Sequence, residues 1–412
     1  MIKKKRIFLS KTGIVMKPQF AGRIRSIDIM RGITLCLMLF VNDLYEPGVP
    51  HWLVHTKAET DSMGLADWVF PGFLFMVGLS IPFAIDSRRR KGDEWPQLVL
   101  HILFRSVSLL IIGLLMLNGG RVNPQLTGMP VLLWKSLVYL CIFLVWNTYP
   151  VNKRMKPFFI LLQLAGIGGL LYLVWIFKAG IPGAIKWMET GWWGILGLIG
   201  WGYLTAALIY LCIRGRLAVA AGCWLFFVLL NILSQLKVLH IGGLAGNITG
   251  VVWDGNVPSI VLAGLVTGML LWKHADDKPK LLQVLAVMGV GCLAAGFVLR
   301  HWFILSKILA TPSWAMVCNG ISLLLFAIIY YFTDVRGKIK WAGLFKIAGQ
   351  NSLTTYLLPD LVYFVCWGWK IPLFFYKQKA HAWLAVSGSV VWAVLMILFA
   401  FGLSKWYVKL KL

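Results

Sequence analysis

The chain alternates long apolar runs with short polar connections, most of them basic. Twelve runs are close to the length of about 20 residues that a helix needs to cross a hydrocarbon core of roughly 30 Å. They lie at approximately 27–46, 66–86, 98–118, 129–148, 157–177, 190–213, 217–236, 257–272, 281–299, 313–332, 350–368 and 382–404. Lipid cannot satisfy an open strand's backbone, so each run is predicted to be a helix. The pattern predicts an all-α polytopic membrane bundle of about 11–12 transmembrane helices.

Composition supports lipid as the main solvent, because 59% of the residues are hydrophobic and only 13% are charged. The net charge of +25 comes from Lys and Arg clustered in the connections, without a basic face interleaved with aromatics, which argues against nucleic acid as a partner. The densest clusters fall on one side, and the positive-inside rule then predicts that both termini are cytoplasmic. We expect a basic N-terminal segment (1–26), a transmembrane domain (27–404) and a basic tail (405–412).

Five polar residues bracket the first predicted outer loop: Asn42, Asp43, His51, His55 and Asp67. A neutral imidazole beside a carboxylate can take a proton from an attacking amine or hydroxyl, or attack an acyl carbon itself. The alternative interpretation is that these residues are solvated by headgroups and water at the membrane interface.

A second polar group is predicted at the inner ends of the first and third spans, where Arg25, Asp28, Arg31, His101 and Arg105 lie near a basic loop. Spacings of three and four residues place Asp28 with Arg31, and His101 with Arg105, on shared helical faces. An anionic ligand entering from the cytoplasm would find a basic cup there. The alternative is that the loop cations only set topology and that the two span arginines extend toward the interface.

Further polar residues fall deeper in the predicted spans, including Lys135, Asn351 and Asp360. Lys135 and Asp360 could form a pair, although hydrogen bonds between helices would also explain such residues. No metal site is expected, because the seven cysteines lie inside apolar runs without CxxC spacing.

The stretch RIRSIDIMRGITLCLMLFVND, followed by His55 and by LADWVFPGFLFMVGLSIPFAI, resembles the heparan-alpha-glucosaminide N-acetyltransferase family and its bacterial relatives among the transmembrane acyltransferases. The resemblance continues in HILFRSVSLLIIGLLMLN, WDGNVPSIVLAGLVTGMLL, the region around Lys307 and AGQNSLTTYLLPD. It covers about half of the chain. The VND and FPGFLFMVGLSIPFAI patterns are similar to a bacterial branch known only as a domain of unknown function.

The resemblance implies that an acetyl group passes from cytoplasmic acetyl-CoA to an amino sugar on the far side of the membrane. Its catalytic histidine matches His55, and other motif residues match Asn42, Asp67 and Arg105. The chain departs from the family in lacking the Trp-Asn-Gly after the histidine, and in having Pro-Asp, ending at Asp360, where the family has a histidine. These departures leave the acceptor open.

The resulting hypothesis is an acyltransferase in the bacterial inner membrane. His55 would be the base or a transient acyl carrier, oriented by Asp67 or Asp43, with Asn42 as a donor to the oxyanion. The predicted donor-binding residues are Arg25, Arg31, His101 and Arg105, and the predicted acceptor-binding residues are Asp254, Lys307, Asn351 and Asp360.

The expected partners are acyl-CoA as the donor substrate, a sugar or glycan acceptor and membrane lipid, and the hypothesis admits a homodimer. No tightly bound cofactor is expected. The main alternative is a transporter or lipid-linked-sugar flippase without acyl-transfer chemistry, although paired repeats with broken helices are not visible in the sequence. A membrane scaffold without activity is the third possibility.

Overall fold

The computed structural model describes residues 24–213, 215–239, 241–372 and 375–412, so most of the predicted basic segment 1–26 lies outside the described residues. The helices of the first half are α1 (Arg25–Asp43), α2 (Leu65–Arg89), α3 (Trp95–Asn118), α4 (Pro124–Thr127), α5 (Val131–Trp146), α6 (Lys156–Trp175) and α7 (Gly194–Ile213). Those of the second half are α8 (Leu217–Gln235), α9 (Gly243–Trp253), α10 (Asn256–Lys273), α11 (Lys278–Leu299), α12 (Pro312–Tyr330), α13 (Gly343–Gln350), α14 (Ser352–Gly368) and α15 (Ala382–Lys405). A small antiparallel hairpin joins β1 (Ala179–Ile181) to β2 (Ala184–Lys186).

Each of the twelve predicted spans corresponds to a helix, and the protein is an all-α polytopic membrane bundle. Within the described ranges, nine helical segments are long and apolar enough to cross a membrane, with α9 and α10 taken together as one of them. The other three spans are α1, which carries four charged residues, and the shorter helices α5 and α14, of 16 and 17 residues.

Helices α2 and α10 form the centre of the bundle and are buried along most of their length. Gly78 of α2 faces the backbone of Val261, and Gly264 of α10 faces the backbone of Phe75, so a Cβ at either glycine would collide with the partner helix. Small residues at such crossings are typical of membrane helices, because they allow close van der Waals packing. By contrast, α6, α8 and α11 lie at the periphery and expose many large apolar side chains.

The two ends of the bundle differ in their chemistry. The end that we call the His55 end carries the connection 44–64 between α1 and α2, the connection 300–311 between α11 and α12, and the connection 369–381 before α15. The opposite end, called the Arg31 end, carries the start of α1 and the tail that follows α15.

Candidate active site

His55 lies beside a buried carboxylate at the His55 end. Its Nδ1 is 2.8 Å from Oδ1 of Asp67, and its side chain is 38% exposed whereas that of Asp67 is only 1% exposed. The second oxygen of Asp67, Oδ2, accepts from the Thr56 backbone N–H, the Thr56 hydroxyl and the Gly64 backbone N–H at 3.0–3.1 Å. Four donors therefore fix the carboxylate in the first turn of α2, and the carboxylate fixes the imidazole.

Lys307 approaches the same imidazole from the connection between α11 and α12. Its Nζ is 3.2 Å from Nδ1 of His55 and 3.5 Å from the backbone oxygen of Ala66. Burial lowers the pKa of Lys307, while the nearby Asp67 carboxylate acts in the opposite direction. Lys307, which the sequence predicts to bind the acceptor, thus lies against the predicted catalytic residue, although 252 positions separate the two.

The two connections that carry His55 and Lys307 are held together by Asp61 and Ser306. Asp61 accepts from Nε of Arg300 at 2.8 Å and from the backbone N–H of Leu305 at 2.8 Å. The Ser306 hydroxyl donates to the backbone oxygen of Ala58 at 2.8 Å. The Leu305 N–H and the Arg300 guanidinium hold the pKa of Asp61 below its usual value.

Asp254 and its neighbours support the connection that carries Lys307. Its carboxylate accepts from the Ser234 hydroxyl at 3.0 Å, and its backbone oxygen accepts from the buried amide of Asn231 at 3.0 Å. Next to it, Asn256 donates to the backbone oxygen of Ala310 at 2.7 Å. Ala310 has a φ of 53°, a left-handed conformation that is uncommon without glycine, and these amides hold it in place. The WDGN motif therefore supports the Lys307 connection.

Asp43 lies at the end of α1 and is paired elsewhere than with His55. Its carboxylate is 2.8 Å from Nζ of Lys377 and accepts hydrogen bonds from the hydroxyls of Tyr363 and Tyr376. The Lys377 ammonium also lies 4.7 Å from the centre of the Tyr363 ring. Of the two carboxylates that the sequence offered as partners of the imidazole, only Asp67 contacts it.

Asn42, the predicted oxyanion donor, is exposed in the last turn of α1. Its amide makes no hydrogen bond to any residue that the structure describes, His55 included. The amide is therefore available to a ligand, at the end of the helix that leads into the connection carrying His55.

A cavity of about 420 Å³ lies between α1, α2, α3, α7 and α14 toward the Arg31 end. Its lining includes Arg31, Ser80, Arg105, Tyr203 and Tyr356. Arg31 donates to the Ser80 hydroxyl at 2.6 Å and lies 3.8 Å from Asp28. The Arg105 guanidinium is 4.5 Å from the centre of the Tyr203 ring, and its buried Nε has no hydrogen-bond partner among the described residues. The volume is within the range of small-molecule sites.

The tail after α15 forms one wall of this cavity and adds two cations, Lys409 and Lys411. The tail is hydrogen-bonded to the bundle: the Thr148 N–H donates to the backbone oxygen of Lys409 at 2.8 Å, and the Leu410 N–H donates to the Thr354 hydroxyl at 2.9 Å. From the sequence alone, Lys409 and Lys411 are two cations of a basic tail, which indicates only that the tail is cytoplasmic. Nothing in the local sequence indicates that this tail folds back to line a cavity.

Arg25 and His101, the other two predicted donor ligands, do not line the cavity. The Arg25 side chain is exposed, and its backbone N–H donates to Asp334, which caps the start of α1 at 3.1 Å. His101 has its Nδ1 3.0 Å from Nη2 of Arg88, and Arg88 pairs with Asp93 at 2.7 Å. The structure brings Arg31 and Arg105 together at the cavity and turns His101 toward the neighbouring loop.

Within the described residues, Asn351 and Asp360 form no hydrogen bond or ion pair with His55. Asn351 is buried at the junction of α13 and α14, between Gln350 and Ser352 of the cavity lining, on the side that the sequence assigned to the donor. Asp360, two turns further along α14, accepts a hydrogen bond from the Tyr139 hydroxyl and forms no ion pair with Lys135 within the described part of the chain.

On α2 the cavity residue nearest to Asp67 is Phe73, which lies six residues after it in the chain. At 1.5 Å of rise per residue this separation is about 9 Å. Trp68, which is 5% exposed and donates to the Ser322 hydroxyl at 3.2 Å, lies in the intervening layer. The cavity and the imidazole are thus aligned along one helix but separated by packed side chains.

The fold and these two sites define the class: a polytopic helical membrane protein with a histidine–carboxylate pair at one end and a cation-lined cavity toward the other. Within that class, the chain is similar to the heparan-alpha-glucosaminide N-acetyltransferases, which confirms the resemblance found in the sequence.

Residues 23–122 match a family model described as the catalytic part of heparan-alpha-glucosaminide N-acetyltransferase. The mouse heparan-alpha-glucosaminide N-acetyltransferase is 26% identical over 424 aligned residues, which cover 93% of this chain and 60% of the mouse protein. The human protein of the same name is 38% identical over 96 residues, covering 23% of this chain and 14% of the human protein. The chain thus spans less than two thirds of the length of either relative.

Proposed function

We propose that the protein is a membrane-embedded acetyltransferase that uses acetyl-CoA bound in the Arg31-end cavity to acetylate an amino sugar or other glycan at the His55 end. The observation that carries this proposal is the His55–Asp67 pair, 2.8 Å apart, within the matched catalytic region. The names of the two relatives support an amino-sugar acceptor.

Two arginines and two tail lysines suit the cavity to a polyphosphate donor. Arg31 and Arg105 can pair with phosphate oxygens through two N–H groups each, whereas Lys409 and Lys411 act as point charges. Because the positive-inside rule places basic connections in the cytoplasm, we assign the Arg31 end to the cytoplasmic side. The similarity of the VND and FPGFLFMVGLSIPFAI patterns to a bacterial branch is our reason for placing the protein in a bacterial inner membrane.

At the His55 end the chemistry follows from the ring's hydrogen bond. Asp67 is an acceptor, so His55 carries its proton on Nδ1 and presents a lone pair on Nε2. As the acceptor nitrogen forms its bond to the acetyl carbon, Nε2 takes a proton from that nitrogen, and the carbon–sulfur bond of the thioester breaks to release CoA. The free amide of Asn42 is our candidate donor to the oxyanion.

The layer at Trp68 sets a condition on this proposal. The acetyl group must pass from the level of Phe73 to that of Asp67, about 9 Å along α2. We therefore expect helix movement around Trp68 when the donor binds, because the packed layer closes the route in the conformation described.

The first experiment measures transfer of label from radiolabelled acetyl-CoA to a panel of amino sugars by the purified protein. His55→Ala should abolish transfer, and His51→Ala is the matched control, since His51 is exposed on the same connection. Equal activity in His55→Ala and the parent protein would remove His55 from the mechanism.

A second experiment separates acetyl transfer from transport. Proteoliposomes with acetyl-CoA on one side and amino sugar on the other should yield acetylated sugar, and thermal unfolding should shift upward with CoA. Movement of unmodified sugar across the membrane, with no effect of CoA on unfolding, would favour a transporter or flippase.

A further inference from the structure

Nδ1 of His55 has two polar neighbours, and one would accept a hydrogen bond from it whereas the other, if charged, would donate one to it. Nδ1 lies 2.8 Å from the Asp67 carboxylate and 3.2 Å from Nζ of Lys307. A neutral imidazole has either a proton or a lone pair on Nδ1 and cannot both donate to the carboxylate and accept from an ammonium. The protonation state of Lys307 therefore bears directly on that of His55.

The environment of Asp67 decides what Nδ1 must do. Three protein donors, two from Thr56 and one from Gly64, already converge on Oδ2. Such a carboxylate is an acceptor at both oxygens, so a lone pair on Nδ1 at 2.8 Å would repel Oδ1. Nδ1 consequently carries the proton and leaves no lone pair for a Lys307 ammonium.

A neutral Lys307 amine satisfies every contact. Its lone pair accepts part of the Nδ1–H bond, and one of its own N–H groups points to the backbone oxygen of Ala66, 3.5 Å away. Burial of the amine lowers the pKa of Lys307, which favours this neutral form.

We propose that Lys307 is a positioning residue that works as a neutral amine, sharing the Nδ1 proton of His55 with Asp67, and that its protonation blocks the base. The inference rests on the proposed acetyl transfer. When Nε2 of His55 takes the proton of the acceptor nitrogen, the ring becomes a cation. A neutral Lys307 tolerates that cation at 3.2 Å, whereas an ammonium opposes it.

Few other titratable groups face the His55–Lys307 pair within the described part of the chain. Asp67 of α2 lies beside both the His55 imidazole and the Lys307 amine, and Cys318 of α12 lies close enough to Lys307 to interact with it electrostatically. Arg300 is already paired with Asp61 on the surface. The proton balance of the site is therefore set mainly by Asp67, His55 and Lys307.

The kinetic test compares a neutral and a permanently charged replacement. Lys307→Met should remain active at alkaline pH, and its rate should decline at lower pH than that of the parent protein. Lys307→Arg should be reduced at least about tenfold at every pH, because its charge cannot be lost. If Lys307→Arg were active and Lys307→Met inactive, a fixed positive charge would be required and the proposal would be overturned.

A second measurement does not depend on acetyl transfer. Diethyl pyrocarbonate modifies neutral imidazoles, and mass spectrometry can follow His55 and His51 separately in one sample. At about pH 5.5, His55 should be modified about tenfold more slowly in Lys307→Met than in the parent protein or Lys307→Arg, because a neighbouring cation disfavours ring protonation. His51, exposed on the same connection, should react equally in all three.

Equal rates for His55 in the three proteins would contradict the role of Lys307 even if the protein transfers acetyl groups. Conversely, the expected rates without any transferase activity would reject the proposed function and retain the proton coupling. Lys307→Gln serves as a second neutral variant in case the methionine protein does not fold, with elution volume and thermal unfolding as the controls for folding.

Discussion

Replacing Asp67 by asparagine should inactivate the protein with little loss of stability, and the structure explains why. Oδ2 accepts three hydrogen bonds, two from Thr56 and one from Gly64, whereas Oδ1 accepts one, from His55. The asparagine amide must place its NH₂ group at one of these two positions. At the Oδ2 position it would face three donors, and three hydrogen bonds, each worth about 1.5–3 kcal/mol, would be lost.

At the Oδ1 position the NH₂ group faces only His55. The ring can then keep a hydrogen bond by moving its proton to Nε2 and accepting at Nδ1. This arrangement is the cheaper one, so the folded protein should adopt it. It removes the lone pair that the acceptor's proton needs, and the expected loss in kcat is about 10²–10⁴-fold.

The assay measures kcat and KM for acetyl-CoA, together with thermal unfolding with and without CoA. Asp67→Asn should lower kcat while the CoA-induced stabilisation persists, because Phe73, the cavity residue nearest to Asp67 on α2, is about 9 Å from it. Glu59→Gln is the matched control, since Glu59 is exposed on the same connection. Retention of at least half the parent kcat by Asp67→Asn would refute the tautomer argument.

Three further predictions follow from other parts of the structure. Asn256→Ala should leave the Ala310 oxygen without its closest donor and lower the thermal midpoint by an amount equivalent to about 1–3 kcal/mol, with a fall in kcat and unchanged CoA binding, all measurable on one preparation. The pKa of Asp61 is lowered, so its contribution to stability is complete above the usual aspartate pKa and is lost as the pH falls through the lowered value. Proteolysis of the connection after α1 should therefore increase as the pH falls through this range. The Asp61→Asn protein, which has no carboxylate to protonate, should not show this pH dependence. Arg105→Ala should abolish most of the thermal shift that CoA produces, whereas Arg25→Ala, whose side chain lies outside the cavity, should not; equal effects would exclude Arg105 from donor binding.

The helices were predictable because hydrophobic length is a local property of the sequence. Each of the twelve apolar runs corresponds to a helix, including α1, which carries four charged residues. The proximity of Asp67 to His55 could also be predicted from the sequence, because only twelve positions separate the two residues. The resemblance to a known family added His55 as the candidate catalytic residue.

Contacts between side chains that lie far apart in the chain could not be predicted from the sequence. In the sequence, Asp43 and Asp67 are equivalent candidates for orienting the imidazole. Asp43 pairs with Lys377 instead, because α14 and the connection before α15 pack against α1. On the donor side, an i, i+4 spacing put His101 and Arg105 on one face. Their different depths nevertheless send Arg105 to the cavity and His101 to Arg88.

The sequence by itself determined that the chain spans a membrane many times and that its charged residues concentrate at the ends of the spans, because both follow from the cost of placing polar groups in lipid. Tertiary structure decided which charges meet. The 252-residue separation of Lys307 and His55 is closed by hydrogen bonds between two connections, and hydrogen bonds of the tail to α14 and to Thr148, just after α5, bring the tail lysines to the cavity. Such contacts depend on the packing of whole helices, which no local pattern of residues specifies.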